Sequence, residues 1–322
     1  MLTQTDLRPF PTLNPGYNQI FRPGELSLGL VLPIERYDQG PVPSMERATE
    51  RAQLAEALGF RALWLRDVPF NVPSFGDAGQ LYDPFVYLGY LAAQTRDITL
   101  GVASIVLPLR HPAHVAKAAA SVDQLSGGRL VLGVASGDRP EEYPAFGMGY
   151  EDRGERFRDS FDYIRAMGGD YPEGIFDQGA FSGRIDMLPK PVTGRIPMLI
   201  TGASRQSPDW IASHGDGWMT YPRNATAQGQ IIDAYRGNLA ALGDTDRPVM
   251  QSLYVDLVPE ADAAPQPIHL GFRSGVTYLR KYLRDLRQLG VNHVALNLRL
   301  NQAETESTLE RIAETLLPEF HQ

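Results

Sequence analysis

The chain has 322 residues, 43% of them hydrophobic, enough to build one large α/β domain or two ordinary ones. Its net charge of −8 comes without any concentrated basic patch, which excludes a surface made for nucleic acid or an anionic membrane; Lys117, Lys190 and Lys281 are the only lysines. The absence of cysteine excludes disulfides, thiolate metal sites and cysteine nucleophiles.

Residues 1–25 are rich in Pro, Asn and aromatic side chains without periodicity, and predict an arm in front of a single domain over 26–322. The arm has neither a basic start followed by an apolar core nor twin arginines. Apolar runs all fall short of the roughly 20 residues that cross a bilayer, so the expectation is a soluble cytoplasmic protein.

From Leu26 onward, strand-like and helix-like segments alternate. LSLGLVLP (26–33) precedes an amphipathic stretch at 45–58, ALWLR (62–66) one at 83–95, ITLGVASIVL (98–107) one at 113–125, and LVLGVA (130–135) one at 153–167. PMLITG (197–202) leads into 207–213, GWMTY (217–221) into 225–242, VMQSLYVDLV (249–258) into 275–289, and HVALNL (293–298) into 304–317. Parallel strands need crossovers, and right-handed crossovers curl a sheet one way, so eight such pairs predict a closed (β/α)8 barrel. A doubly wound sheet is the structural rival. The long stretch 168–196 predicts an insertion over the carboxyl mouth of that barrel.

VDQLSGGRLVLGVASGD (122–138) shows how one helix gives way to one strand. Val122 and Leu125 continue an apolar stripe begun at Val115 and Ala119, and Gly127 and Gly128 suit the left-handed turn that ends a helix near Ser126. Leu130 to Ala135 then form an apolar run fit for burial on both faces, closed abruptly by Ser136, Gly137 and Asp138.

Ligands of a (β/α)8 barrel sit where the strands end, which singles out Pro33, Glu35, Asp67, Ala103 to Leu107, Arg110, His111, Ser136 to Arg139, Gly202 to Gln206, Tyr221, Asn297 and Arg299. No HExxH is present, and no cluster of His and Asp suits a metal. His111 and His114 have a metal-compatible spacing but no third ligand, which favours His111 as a helix cap or a mouth residue. TGASRQS (201–207) is either a phosphate cradle at a helix amino terminus or a helix cap bonding only to backbone, and the residues alone leave both open. Asp67 beside Arg66, and Asp138 beside Arg139, are each either ligand-orienting carboxylates or salt-bridged structural ones. Trp64 and Trp218 suit the core or the barrel wall. GMGYED (147–152) lacks the strand and the third glycine of a dinucleotide fingerprint.

HPAHVAKAAASVDQLSGGRLVLGVASGD (111–138) resembles the signature of the bacterial luciferase-like flavin-dependent monooxygenases. GFRALWLRD (59–67), RDITLGVASIVLPLRHP (96–112), ERFRDSFDYIRAM (155–167) and IPMLITGASRQSPDWIASHGDGWMTYPR (196–223) agree with it in order, over about 26–317. The resemblance implies a (β/α)8 barrel holding reduced FMN across its carboxyl mouth. The flavin ring would rest against Asp67, Ala103 and Ser104, where the family's third strand can carry a non-prolyl cis peptide. Ser136, Gly137 and Asp138 would border the ring or ribityl chain, Gly202, Ala203, Ser204 and Gln206 would hold the phosphate, and Tyr221 would complete the cofactor set. Gly127, Gly128 and Arg129 would be structural.

The implied reaction consumes dioxygen and inserts one oxygen atom into a small, largely apolar organic substrate, with reduced flavin delivered by a separate flavin reductase and the protein acting as a homodimer. The reactive cysteine of some relatives is missing, which leaves His111 and Asp67 as the candidate catalytic residues. An F420-dependent hydride-transfer oxidoreductase and a non-catalytic flavin-binding barrel are the alternatives.

Overall fold

In the computed structural model, which describes residues 8–177, 179–243 and 245–321, eight parallel strands alternate with helices. The strands are β1 (Ser27–Val31), β2 (Ala62–Leu65), β3 (Thr99–Val106), β4 (Leu130–Ala135), β5 (Met198–Thr201), β6 (Gly217–Thr220), β7 (Val249–Leu257) and β8 (His293–Asn297). Each pairs in parallel with the next, and β8 returns to β1 in the register Ser27 to His293 through Leu30 to Leu296. That closure establishes the (β/α)8 barrel and rules out an open doubly wound sheet.

Alternation along each strand divides the apolar side chains between two cores. Leu28, Leu63, Leu65, Leu132 and Val294 face the helices, whereas Val31, Trp64, Val131, Leu199, Met219, Met250 and Ala295 fill the barrel interior. Trp64 fits there because Gly101 faces it: a Cβ on Gly101 would lie 2.4 Å from the indole ring.

The helix Pro15–Ile20 stoppers the amino end of the barrel. Asn14 caps it, accepting from the Tyr17 N–H at 2.9 Å and donating to the Leu130 carbonyl at 2.7 Å. Tyr17, Ile20 and Phe21 are buried in the barrel interior, and the Tyr17 hydroxyl donates to the Asp216 carbonyl at 2.8 Å. Residues 1–7 of the expected arm lie outside the described residues.

The helix Pro112–Ser126 ends at Gly127 with φ +70°, and Gly128 follows at φ +86°, as the sequence predicts. Arg129 is structural. Its guanidinium donates to the carbonyls of Ala92, Thr95, Ile98 and Ser126, tying the carboxyl ends of two helices to the strand that follows them.

The stretch 168–196 corrects the expectation of an insertion over the carboxyl mouth. It forms an antiparallel hairpin, Glu173–Phe176 with Gly179–Ser182, on the outer face of the helix Arg153–Ala166, where Phe176 and Phe181 each lie 5.1 Å from the Tyr163 ring. Its base is anchored by the Val192 N–H on Asp123 Oδ2 at 2.8 Å. The reason is topological: this connection leaves the end of a helix and enters the start of β5, and both belong to the amino side of the barrel. A second hairpin, Gln266–Ile268 with Gly271–Ser274, adds a strand beside the upper half of β7 and had no signature in the sequence.

Candidate active site

At the carboxyl mouth, small residues replace the large apolar ones. Ala103 and Ser104 at the end of β3, Ala135 at the end of β4, and Thr201 and Gly202 after β5 are all half-exposed, although the strands below them are buried. They make an open floor above Met219. The Ala103–Ser104 peptide bond is cis. Ser104 Oγ hydrogen-bonds Thr201 Oγ1, joining the floor directly to the turn at Gly202.

That turn is built from left-handed residues: Gly202, Ser204 and Arg205 have φ of +56°, +44° and +60°. The Ser204 hydroxyl donates to the Thr201 carbonyl at 2.7 Å, and Ser207 caps the following helix, Pro208–His214, by accepting from the Trp210 N–H at 3.2 Å. Gln206 is engaged by the neighbouring helix: its Oε1 accepts from Arg158 Nε and Nη2 at 3.1 and 2.9 Å, and its Nε2 donates to the Gly154 carbonyl at 2.8 Å. Arg158 therefore stands beside the turn, while Arg153, on the same helix, donates to the Tyr150 carbonyl at 2.8 Å and keeps a buried Nε with no hydrogen-bond partner. Tyr221 lies next to Gly202, its ring 3.6 Å from where a Cβ on that glycine would stand.

Strand parity decides the fate of the β2 terminus. With Ala62 and Trp64 facing inward, Arg66 continues into the mouth and Asp67 turns out toward the helices. Asp67 is held there by a bidentate pair with Arg110, at 3.0 and 2.7 Å, and accepts from the Val106 N–H at 3.1 Å. The period of two thus sets the Asp67 side chain away from the floor at Ala103 and Ser104, against the expectation that it lies beneath a flavin ring. His111 is exposed and caps the helix Pro112–Ser126, its Nδ1 accepting from the Ala113 N–H at 3.2 Å. Both residues line an outer cavity of about 560 Å³ bounded also by Tyr82, Phe85, His114 and Phe146.

The inward-facing residue, Arg66, belongs to a network that the sequence reading missed. The loop after β2 returns Asp77 into the mouth, where Oδ2 receives Arg66 at 2.5 Å, Arg299 at 3.3 Å and the Tyr254 hydroxyl at 3.3 Å. Its Oδ1 receives the Tyr37 hydroxyl at 3.0 Å and the Gly79 N–H at 2.8 Å. Burial opposes ionisation of Asp77, but Arg66, the Gly79 N–H and Arg299 together hold its carboxyl below the ordinary range. After β4, Ser136 is buried with its carbonyl bound by the Tyr143 hydroxyl, Gly137 has φ +76°, and Asp138 is exposed. Glu142 is buried nearby, and desolvation, eased by Arg139 but reinforced by Asp67 and Asp138, pushes its carboxyl up to about 7. Trp64 is in the barrel interior, and Trp218 is in the outer wall, donating to the Gly202 carbonyl at 2.8 Å.

A family model described as luciferase-like monooxygenase matches residues 26–314. The chain belongs to this family. An uncharacterized protein from Mycobacterium tuberculosis is 32% identical over 227 residues, covering 65% of this chain and 79% of its own. The fold superimposes on the monooxygenase RslO1 from Streptomyces bottropensis with a TM-score of 0.77 at 19% identity, over 91% of this chain and 99% of that one. It also superimposes on an F420-dependent secondary alcohol dehydrogenase in complex with an F420-acetone adduct, with a TM-score of 0.74 at 16% identity, over 91% and 98% of the two chains. Membership makes the chain a luciferase-like oxidoreductase. Among the described residues, no three His, Asp or Glu side chains come together as metal ligands, and no helix is long and apolar enough to cross a membrane.

Proposed function

We propose that this luciferase-like protein uses reduced FMN and dioxygen to place one oxygen atom on a small organic substrate. The observation that carries the reading is the hydrogen bond between Ser104 and Thr201, which makes the open floor and the left-handed turn one continuous surface. A flat ring needs such a floor without bulky side chains, and a phosphate needs free N–H groups beside positive charge. The residues present fit both ends of the molecule: Ala103, Ser104 and Ala135 under the ring, and the backbone of 203–205 with Arg153, Arg158 and Arg205 at the phosphate.

When bound, the flavin supplies the oxygen chemistry, and the chain supplies position and dryness. Ser204 and Gln206 act by fixing the turn, since their side chains are committed to Thr201, Arg158 and Gly154. Ser136 and Gly137 border the floor from β4, with Tyr143 holding the Ser136 carbonyl in place. Asp138 and Tyr221 stand at the exposed rim, where a ribityl chain would pass. The proposed partners are dioxygen, the organic substrate and a separate flavin reductase, and the proposed assembly is a cytoplasmic homodimer.

Titration of the protein with oxidised FMN, reduced FMN and F420 tests the reading. FMN should bind in both states, and Ser204→Asp should weaken it by setting a like charge beside the phosphate. Binding of F420 with no affinity for FMN, or unchanged FMN affinity in Ser204→Asp, would overturn it.

A further inference from the structure

The Asp77 network is built like a receptor. Four side-chain donors, Tyr37 after β1, Arg66 after β2, Tyr254 on β7 and Arg299 after β8, converge on one carboxylate from four different parts of the rim. Two of them are guanidiniums and two are phenols, a set matched to a planar oxyanion. The carboxylate that fills it is contributed by a loop rather than by the barrel.

That loop is anchored around Asp77 and exposed at its tip: Arg299 donates to the Gly76 carbonyl at 2.6 Å, the Ala78 N–H to the Pro41 carbonyl at 2.8 Å, and Gln80 Nε2 to the Arg66 carbonyl at 2.6 Å. The turn Pro73–Phe75 buries none of its residues; Ser74 Oγ donates to Glu141 Oε1 at 3.3 Å, and the Arg139 guanidinium stacks 4.6 Å from the Phe75 ring. Gly76 and Gly79 flank Asp77 with φ of +62° and +61°, so the segment carrying the carboxylate is bounded by glycine turns on both sides. Positive charge is in surplus: Arg139, 7% exposed, donates to the Asp77 carbonyl at 3.3 Å, yet its Nη1 has no hydrogen-bond partner and lies 3.8 Å from Glu142.

We propose that Tyr37, Arg66, Tyr254 and Arg299 form the binding site for a carboxylate group on the organic substrate, and that Asp77 occupies it as an internal stand-in until the substrate displaces it. The inference rests on the monooxygenase reading for the word substrate, but not for the binding site itself. Arg139 is the further cation available to the incoming acid. Specificity for organic acids would then come from the rim opposite the left-handed turn at Gly202 to Arg205.

Benzoate and its neutral counterpart benzamide, added to the full chain without flavin, test this by calorimetry. Asp77→Ala should bind benzoate about tenfold or more tightly than the wild type, because the site is no longer self-occupied. Arg66→Met in the Asp77→Ala background should abolish that binding, and benzamide should not bind either protein. Asp77→Asn, which keeps the size of the side chain and removes its charge, should bind benzoate more tightly than the wild type though less tightly than Asp77→Ala, and serves if the alanine variant fails to fold. In the wild type, benzoate but not benzamide should speed proteolytic cleavage between Phe70 and Gly76. Equal benzoate affinity in wild type and the folded Asp77 variants, equal binding of benzamide, or cleavage indifferent to benzoate would each overturn the proposal. FMN affinity, measured separately, reports on the cofactor reading, so the two can fail independently.

Discussion

Inside the barrel, the Trp64 indole N–H donates to His293 Nε2 at 2.8 Å. With Nε2 accepting, the proton sits on Nδ1 and is given to Ser27 Oγ at 2.7 Å, and the serine hydroxyl in turn donates to the Ile20 carbonyl at 2.7 Å. One neutral imidazole thus links the barrel shaft to the helix that closes it.

Burial, with a further push from the neighbouring His321, pulls the His293 pKa down to about 3 from an ordinary value of 6.5. Only the unfolded chain takes up this proton between those values, so the contribution is complete above about pH 6.5 and is lost as the pH falls toward 3. The expected slope is up to about 1.4 kcal/mol per pH unit. Chemical denaturation between pH 7 and pH 4 should show it, and His293→Gln should flatten it. An unchanged slope in the variant would remove His293 as the cause.

Glu142 titrates in the opposite sense. Its folded carboxyl is held up at about 7 by burial against an ordinary 4.5, so its contribution is complete below about pH 4.5 and disappears as the pH rises through 7. Glu142→Gln should therefore gain thermal stability relative to the wild type at pH 8 to 9 and show little gain at pH 5. A gain independent of pH would point to packing instead.

Gly101→Ala tests the fit of the barrel interior. The added methyl would lie 2.4 Å from the Trp64 ring, on backbone that is hydrogen-bonded on both sides. Neither partner can retreat far, and a loss of about 1–3 kcal/mol is expected by urea denaturation. Retained stability would mean that the indole has room to move.

Asp67→Asn separates a structural carboxylate from a catalytic one. The variant breaks a bidentate pair with Arg110 in which the carboxylate side chain is 2% exposed, and should cost on the order of 2–3 kcal/mol. FMN affinity should stay at the wild-type value, since the residue faces away from the floor. Weaker FMN binding in a fully folded Asp67→Asn would restore the residue to the site.

The barrel was legible because closed parallel strands are buried on both faces, so each appears as an unbroken apolar run; LVLGVA and HVALNL, for example, match β4 and β8 to within a residue. The floor at Ala103 and Ser104 was legible from resemblance and from its place at strand ends, whereas Ala135 was read only as the last residue of an apolar strand. The direction of Arg66 was written in the sequence as well, two residues beyond Trp64, but proximity to the strand end drew attention to Asp67. Asp77 had no such marker. Its position depends on a loop reversal through left-handed Gly76, and a lone Asp among Phe, Gly and Pro does not reveal which way a chain doubles back. Glu142 was hidden for a related reason: its short helix, Glu142–Ala145, has no periodicity from which burial could be inferred.

Because Tyr17, Ile20 and Phe21 seal the amino end and Trp64 fills the shaft above them, the barrel is a vessel with one opening. Nothing passes through the shaft from end to end, and the carboxyl rim is the only part of it left open by these side chains.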